Sequence, residues 1–130
     1  MKILIVEDDR NYRALLFEFL TLRGHDVLAV SDALHAVALL AEHSHEISLV
    51  LLDLMMPRLS GDQLMNSFAY WGSCNTRFLI VSGSAGVSQY KDHPKLAGIL
   101  CKPFPLSELE NAINAEVARS KGVSASETAK

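Results

Sequence analysis

The stretch Val50-Leu-Leu-Asp-Leu-Met-Met-Pro57, VLLDLMMP, is apolar apart from Asp53 and its closing proline. An ionised carboxylate inside such a run is costly to bury unless something pairs with it. Either Val50–Leu52 is a strand that ends at Asp53 and delivers it to a polar site, or Asp53 is a capping residue at a turn before Pro57. The rest of the chain decides between them.

Outward from this stretch, short apolar runs recur at Lys2–Val6, Val27–Val30, Ser48–Leu52, Arg77–Ser82 and Gly98–Cys101. They are continuous rather than alternating, which suits strands covered on both faces. Helical periodicity fills the gaps. Leu15, Leu16, Phe19 and Leu20 make one apolar stripe, Ala33, Ala36, Val37 and Leu40 a second, and Leu106, Leu109, Ile113 and Val117 another. Gly24 can end the first helix, Ser31 or Asp32 can cap the second, and Pro105 suits the first turn of the last. Ser60 with Gln63 resembles a capping box opening a helix through Leu64 and Phe68. Between Ala85 and Leu96, Pro94 and a polar centre allow only a short helix. Strand and helix thus alternate five times over residues 1–118. That pattern predicts an α/β fold, a doubly wound parallel sheet with right-handed crossovers. Residues 119–130 are small and polar and are expected to be a flexible tail or the start of a linker.

At 130 residues the chain is long enough for one domain with a core that needs no disulfide or structural metal. A net charge of −3 gives no electrostatic reason to bind nucleic acid or an anionic membrane. No apolar segment approaches the roughly 20 residues that span a bilayer. The opening MKILIVEDD turns acidic too early for a secretory signal peptide. Cys74 and Cys101 make neither a disulfide framework nor a zinc site, and two buried, reduced thiols in a cytoplasmic protein are expected. A chain ending at Lys130 is expected to carry no DNA-binding domain, and to stand alone or be a piece of a longer protein.

The polar residues fall where strands end. The first strand runs into Glu7, Asp8 and Asp9, the third ends at Asp53, the fourth at Ser82, and the fifth just before Lys102. In an open parallel sheet all carboxyl ends lie along one edge, where ligands bind. Singly, each residue has an ordinary role: Asp8 and Asp9 as helix caps, Asp53 in a turn, Ser82 in a Ser-Gly-Ser loop, Lys102 as a solvated lysine. Their joint arrival at one edge is not explained by capping. Crowded carboxylates call for a cation, and oxygen ligands suit Mg²⁺ better than zinc. Beside a metal, a hydroxyl and a lysine, an aspartate is suited to accept a phosphoryl group. His25, His35, His43, His45 and His93 lie in helices or loops, which disfavours general-base hydrolysis.

VEDD, LLDLMMP, VSG and CKPF, in this order after the first, third, fourth and fifth strands, resemble the receiver domain of two-component response regulators. The resemblance covers residues 1–118 and implies a flavodoxin-like (βα)5 fold with strand order 2-1-3-4-5. It implies that Asp53 is the phosphoacceptor, taking the group from the phosphohistidine of a sensor histidine kinase or a phosphotransfer protein. It likewise implies that Asp8 and Asp53 bind Mg²⁺ directly, with the Met55 carbonyl as a further ligand and Glu7 acting through water. Ser82 and Lys102 would hold the phosphoryl oxygens, Asp9 would be a helix cap, and Lys102-Pro103 would be a cis peptide. The implied output is a downstream protein effector, with no direct contact to nucleic acid or membrane. Two copies pairing through the family's fourth helix, fifth strand and fifth helix are also within what the resemblance implies.

Three positions depart from the family pattern. Ile99 stands where the switch aromatic would be, Gly83 follows Ser82 where alanine is usual, and Ser82–Lys102 looks shorter in the region of the fourth helix. Ile99 keeps open a receiver whose phosphorylation drives no standard switch. A Mg²⁺-dependent aspartyl-nucleophile phosphatase is the alternative enzyme, disfavoured because Met55 occupies the place of its second acid. A flavin or nucleotide domain of the same topology is disfavoured by the acidic EDDRN loop, where a phosphate cradle needs glycine and backbone donors.

Overall fold

In the computed structural model, residues 1–43, 46–54, 76–83 and 91–129 are described, the last eight of them as backbone only. Five strands, β1 (Lys2–Val6), β2 (Asp26–Val30), β3 (Leu49–Leu52), β4 (Arg77–Ser82) and β5 (Leu96–Cys101), form one parallel sheet. Its order is β2-β1-β3-β4-β5, as the sequence predicts. The described helices are α1 (Arg10–Leu22), α2 (Ala33–His43) and α3 (Leu106–Ala129). The expected helix through Ser60, Gln63, Leu64 and Phe68, and positions 85–90 of the weak segment, lie outside the described residues; Lys91–Lys95 form turns leading into β5.

The continuous apolar runs have the predicted cause. Along β1, Leu4 and Val6 join a cluster with Ala36 and Leu40 of α2, while Ile3 and Ile5 join one with Leu16 and Leu20 of α1 and Leu109 and Ile113 of α3. Alternate side chains thus enter opposite cores, and both must be apolar. Each fully buried Leu, Ile or Phe contributes roughly 1.5–3 kcal/mol relative to exposure.

The termini of the helices are capped locally. The Asp9 carboxylate accepts the backbone N–H of Tyr12 at 3.0 Å, and Asp32, rather than Ser31, accepts that of His35 at 2.8 Å. Gly24 follows α1 with φ of 88°, and its N–H donates to the Thr21 carbonyl. No side chain favours that left-handed conformation, so glycine ends the helix. Pro105 lies just before α3 rather than inside its first turn, its carbonyl accepting the N–H of Glu108.

Two expectations need correction. Leu15 is 44% exposed on α1, because the helix buries the narrower stripe through Leu16 and Leu20. Cys101 is exposed, since it closes β5, an edge strand of the sheet, while Cys74 lies outside the described residues. The backbone of α3 is helical to Ala129. Ala118, Arg119 and Lys121 are good helix formers, so polarity alone does not end a helix there.

Candidate functional site

Sheet register assembles the site. Val6 lies opposite Leu52 in the β1–β3 pair, and the ladder runs one residue further: the Asp53 N–H donates to the Val6 carbonyl at 3.1 Å. On the other side of β1, the Glu7 N–H donates to the Val30 carbonyl at 3.1 Å. Across the β4–β5 pair, the Lys102 N–H donates to the Ser82 carbonyl at 3.0 Å. The backbones of Glu7, Asp53 and Lys102 are therefore fixed by the sheet, although each lies beyond its strand.

The side chains converge from that frame. Lys102 Nζ donates to Glu7 Oε1 at 2.5 Å and to Asp53 Oδ2 at 3.0 Å. Glu7 is 2% exposed and Asp53 5%, whereas Asp8 is exposed. One oxygen from each of Glu7, Asp8 and Asp53 can be chosen so that all three lie within 4.8 Å of one another. Ser82 is buried at the end of β4, tied to the cluster through its backbone bond to Lys102. The Lys102-Pro103 peptide bond is cis. Met55 lies outside the described residues.

The loop after β1 is held by its own groups. Glu7 Oε2 accepts the N–H of Asp9 at 3.1 Å, and the Arg13 guanidinium donates to the carbonyl of Glu7 at 2.9 Å. Burial pushes the Glu7 carboxyl up to about 7, and the Asp53 charge adds to this, while Lys102 and the Asp9 N–H pull against it. Burial pushes the Lys102 ammonium down, but its bonds to Glu7 and Asp53 prevail and raise it. Three hard oxygen donors around one point are the donor set of Mg²⁺, and Glu7, Asp8 and Asp53 fit such an ion.

Two aromatic residues at this site are not singled out by the sequence reading. Lys102 Nζ lies 4.5 Å from the centroid of the Tyr12 ring, and Tyr12 meets Phe104 edge to face at 6.1 Å. The available signal is position: Tyr12 is three residues past the cap Asp9, and Phe104 two past Lys102.

The response regulator receiver domain family matches residues 3–114, and the chain belongs to that family. It is 34% identical over 125 residues to the two-component response regulator PhoP of Pseudomonas aeruginosa, covering 94% of this chain and 54% of that one. It is 33% identical over 121 residues to the uncharacterised transcriptional regulatory protein YrkP of Bacillus subtilis, covering 91% and 50%. The chain thus spans about half the length of these curated relatives. In structure it resembles a receiver domain from Clostridium thermocellum with a TM-score of 0.81 and 23% identity, covering 94% and 98% of the two chains. It also resembles, with a TM-score of 0.76 and 20% identity over 90% and 97%, the receiver domain of a Pseudomonas aeruginosa sensor histidine kinase solved with a magnesium ion in its active-site cleft. The fold is the flavodoxin-like one of these receivers, and the protein is a receiver domain of the two-component response regulator class. Among the described residues, no helix is long and apolar enough to cross a membrane.

Proposed function

We propose that the chain is a phosphorylation-controlled switch in which Asp53 accepts a phosphoryl group from the phosphohistidine of a sensor histidine kinase or phosphotransfer protein. The observation that carries this reading is Lys102 Nζ bound to both Glu7 and Asp53 at the end of three strands, beside the exposed Asp8. In the transfer, an Asp53 oxygen forms a bond to phosphorus as the phosphorus–nitrogen bond breaks, and the electron pair of that bond stays with the imidazole. Asp8, Asp53 and the Met55 carbonyl would hold Mg²⁺ directly and Glu7 through water; the ion would neutralise charge on the transferring oxygens. Lys102 would supply a second positive charge beside Asp53, and Ser82 a hydroxyl donor to the phosphoryl group. The ordered backbone of Glu7, Asp53 and Lys102 supports this, because preorganised charge need not be rearranged during the step.

The acyl phosphate adds charge and acceptor oxygens, and the switch operates through a bias between two conformations. A protein effector is the output, with no direct nucleic-acid or membrane contact by this domain; pairing of two copies through the fifth-strand face is one form that output takes. Incubation with a small acyl phosphate and Mg²⁺, followed by mass spectrometry, tests the chemistry. One phosphoryl adduct is expected on the wild type and none on Asp53→Asn. Repeated turnover of phosphate esters would instead support the aspartyl phosphatase.

A second reading concerns the relay. Ile99 is half-buried and packs with Leu54 and Leu96 against the α2-side core. An aliphatic side chain there favours a receiver without the family's aromatic rotation. Partner binding that is unchanged by Asp53→Asn and by phosphorylation would support it.

A further inference from the structure

The cation at this site has a partner that no charge accounting requires. Lys102 Nζ sits 4.5 Å from the centroid of the Tyr12 ring while its hydrogen bonds go to Glu7 and Asp53. The ring is itself held. The Tyr12 N–H donates to the Asp9 cap at 3.0 Å, which fixes the first turn of α1. Its ring meets Phe104 at an interplanar angle of 80°, and it packs at the margin of the core that contains Leu16 and Leu109. Phe104 is two residues beyond Lys102, so the segment that carries the ammonium also braces the ring facing it.

We propose that Tyr12 is a positioning residue for phosphoryl transfer, holding the Lys102 ammonium in place through the face of its ring. This rests on the phosphoacceptor reading of Asp53. In the unphosphorylated site, Lys102 is oriented mainly by the Glu7 and Asp53 carboxylates. Phosphoryl transfer changes this arrangement, because Asp53 becomes an acyl phosphate and no longer offers Lys102 its carboxylate. A lysine is a flexible point charge and loses its bearings when a carboxylate partner is lost. The π face attracts the ammonium without accepting a conventional hydrogen bond or competing for the phosphoryl oxygens. It remains in place throughout the step, leaving the N–H donors of Lys102 available. The attraction belongs to the ring and not to the phenol hydroxyl, so phenylalanine should replace tyrosine.

The test compares wild type, Tyr12→Phe and Tyr12→Leu for single-turnover phosphorylation by a small acyl phosphate at saturating Mg²⁺. Tyr12→Phe should stay within about twofold of wild type, and Tyr12→Leu should slow about 3- to 10-fold, the factor supplied by a partly desolvated cation–π contact. The Mg²⁺ concentration giving half-maximal rate should not move, which separates this role from loss of the metal site. In NMR spectra, the Lys102 ε-methylene protons should be shifted upfield by the ring in wild type and Tyr12→Phe, and this shift should be lost in Tyr12→Leu. Tyr12→Met, whose flexible thioether fills irregular space, serves where Tyr12→Leu unfolds. A Leu or Met variant with the wild-type rate would overturn the inference, as would Tyr12→Phe falling as low as Tyr12→Leu. So would Lys102 protons without a ring shift in the wild type. Failure of the wild type to form any Asp53 adduct would overturn the phosphoacceptor reading, and this inference with it.

Discussion

Glu7 and Lys102, from the ends of strands three places apart in the sheet, meet at 2.5 Å, and Glu7 is buried to 2% exposure. The pair is not a simple neutralising ion pair, because Asp53 draws on the same ammonium at 3.0 Å. Burial raises the Glu7 carboxyl to about 7 from an ordinary 4.5, and the neighbouring Asp53 charge adds to this, despite the lysine. Three carboxylates are therefore gathered beside one ammonium, an arrangement that favours a divalent cation.

The first prediction is a pH dependence with a definite sign. The folded pKa of Glu7 is raised, so the folded state holds its proton more readily than the unfolded state. The corresponding stability is fully present below about pH 4.5 and is lost as pH rises toward and through about 7, by an amount on the order of 3 kcal/mol. Urea unfolding between about pH 5 and about pH 8 in the presence of a chelator, referred to Glu7→Gln, isolates this contribution. The wild type should lose stability relative to the variant as pH rises. Added Mg²⁺ should reverse the loss, most strongly at the alkaline end, because the ion selects the ionised carboxylates. A difference between the two proteins that stays flat with pH would rule out the elevated Glu7 value.

Removing the lysine should be worse than removing an acid. In Lys102→Met, Glu7 and Asp53 remain buried without their shared donor, and the expected cost at neutral pH is about 1–3 kcal/mol. Asp53→Asn keeps an acceptor for Lys102 and removes one of the crowded charges, so its stability should equal or exceed that of the wild type. Chelator-treated proteins unfolded side by side in urea give the ranking directly. Asp53→Asn less stable than Lys102→Met would show that the carboxylates are not in excess.

The fold and the candidate site were legible to different degrees. Strand-forming runs in parallel sheets are continuous because both faces are buried, so β1 and β4 agree with the sequence reading to the residue, and β3 to within one. Asp53, Glu7, Ser82 and Lys102 were visible because polar groups that end apolar strands necessarily share an edge. Leu15 misled because periodicity does not say how wide a stripe the sheet covers. Tyr12 and Phe104 could not be read, since an aromatic residue in a first helical turn is ordinarily core, and only the meeting of α1 with the end of β5 brings its face to Lys102.

The cap at Asp9 has two separable consequences. Its carboxylate satisfies the Tyr12 N–H at 3.0 Å, and Asp9→Ala should cost about 1 kcal/mol in urea unfolding. Because that bond also sets the first turn, the Lys102 ε-methylene signal should move in Asp9→Ala. Asp9→Ser keeps an acceptor and should restore both. Loss of stability that Asp9→Ser does not recover would assign the effect to charge rather than to the cap.

The relay prediction follows from Ile99. It lies opposite Ile80 in the β4–β5 register, half-buried against the α2-side core. A β-branched side chain in a strand has restricted χ1 freedom, and isoleucine has no ring to turn between an inward and an outward pocket. Phosphorylation should therefore displace the methyl resonances of Ile99 less than the backbone amides of Ser82 and Gly83, which adjoin the phosphoryl site. Methyl and amide spectra before and after addition of an acyl phosphate and Mg²⁺ make the comparison within one sample. Ile99→Val should cost about 0.5–1.5 kcal/mol from the lost methylene while leaving the rate of adduct formation within about twofold. A large, Asp53-dependent displacement of the Ile99 methyls would mean that the aliphatic side chain relays the signal after all, through a shift of β5 itself and not through rotation of a single side chain.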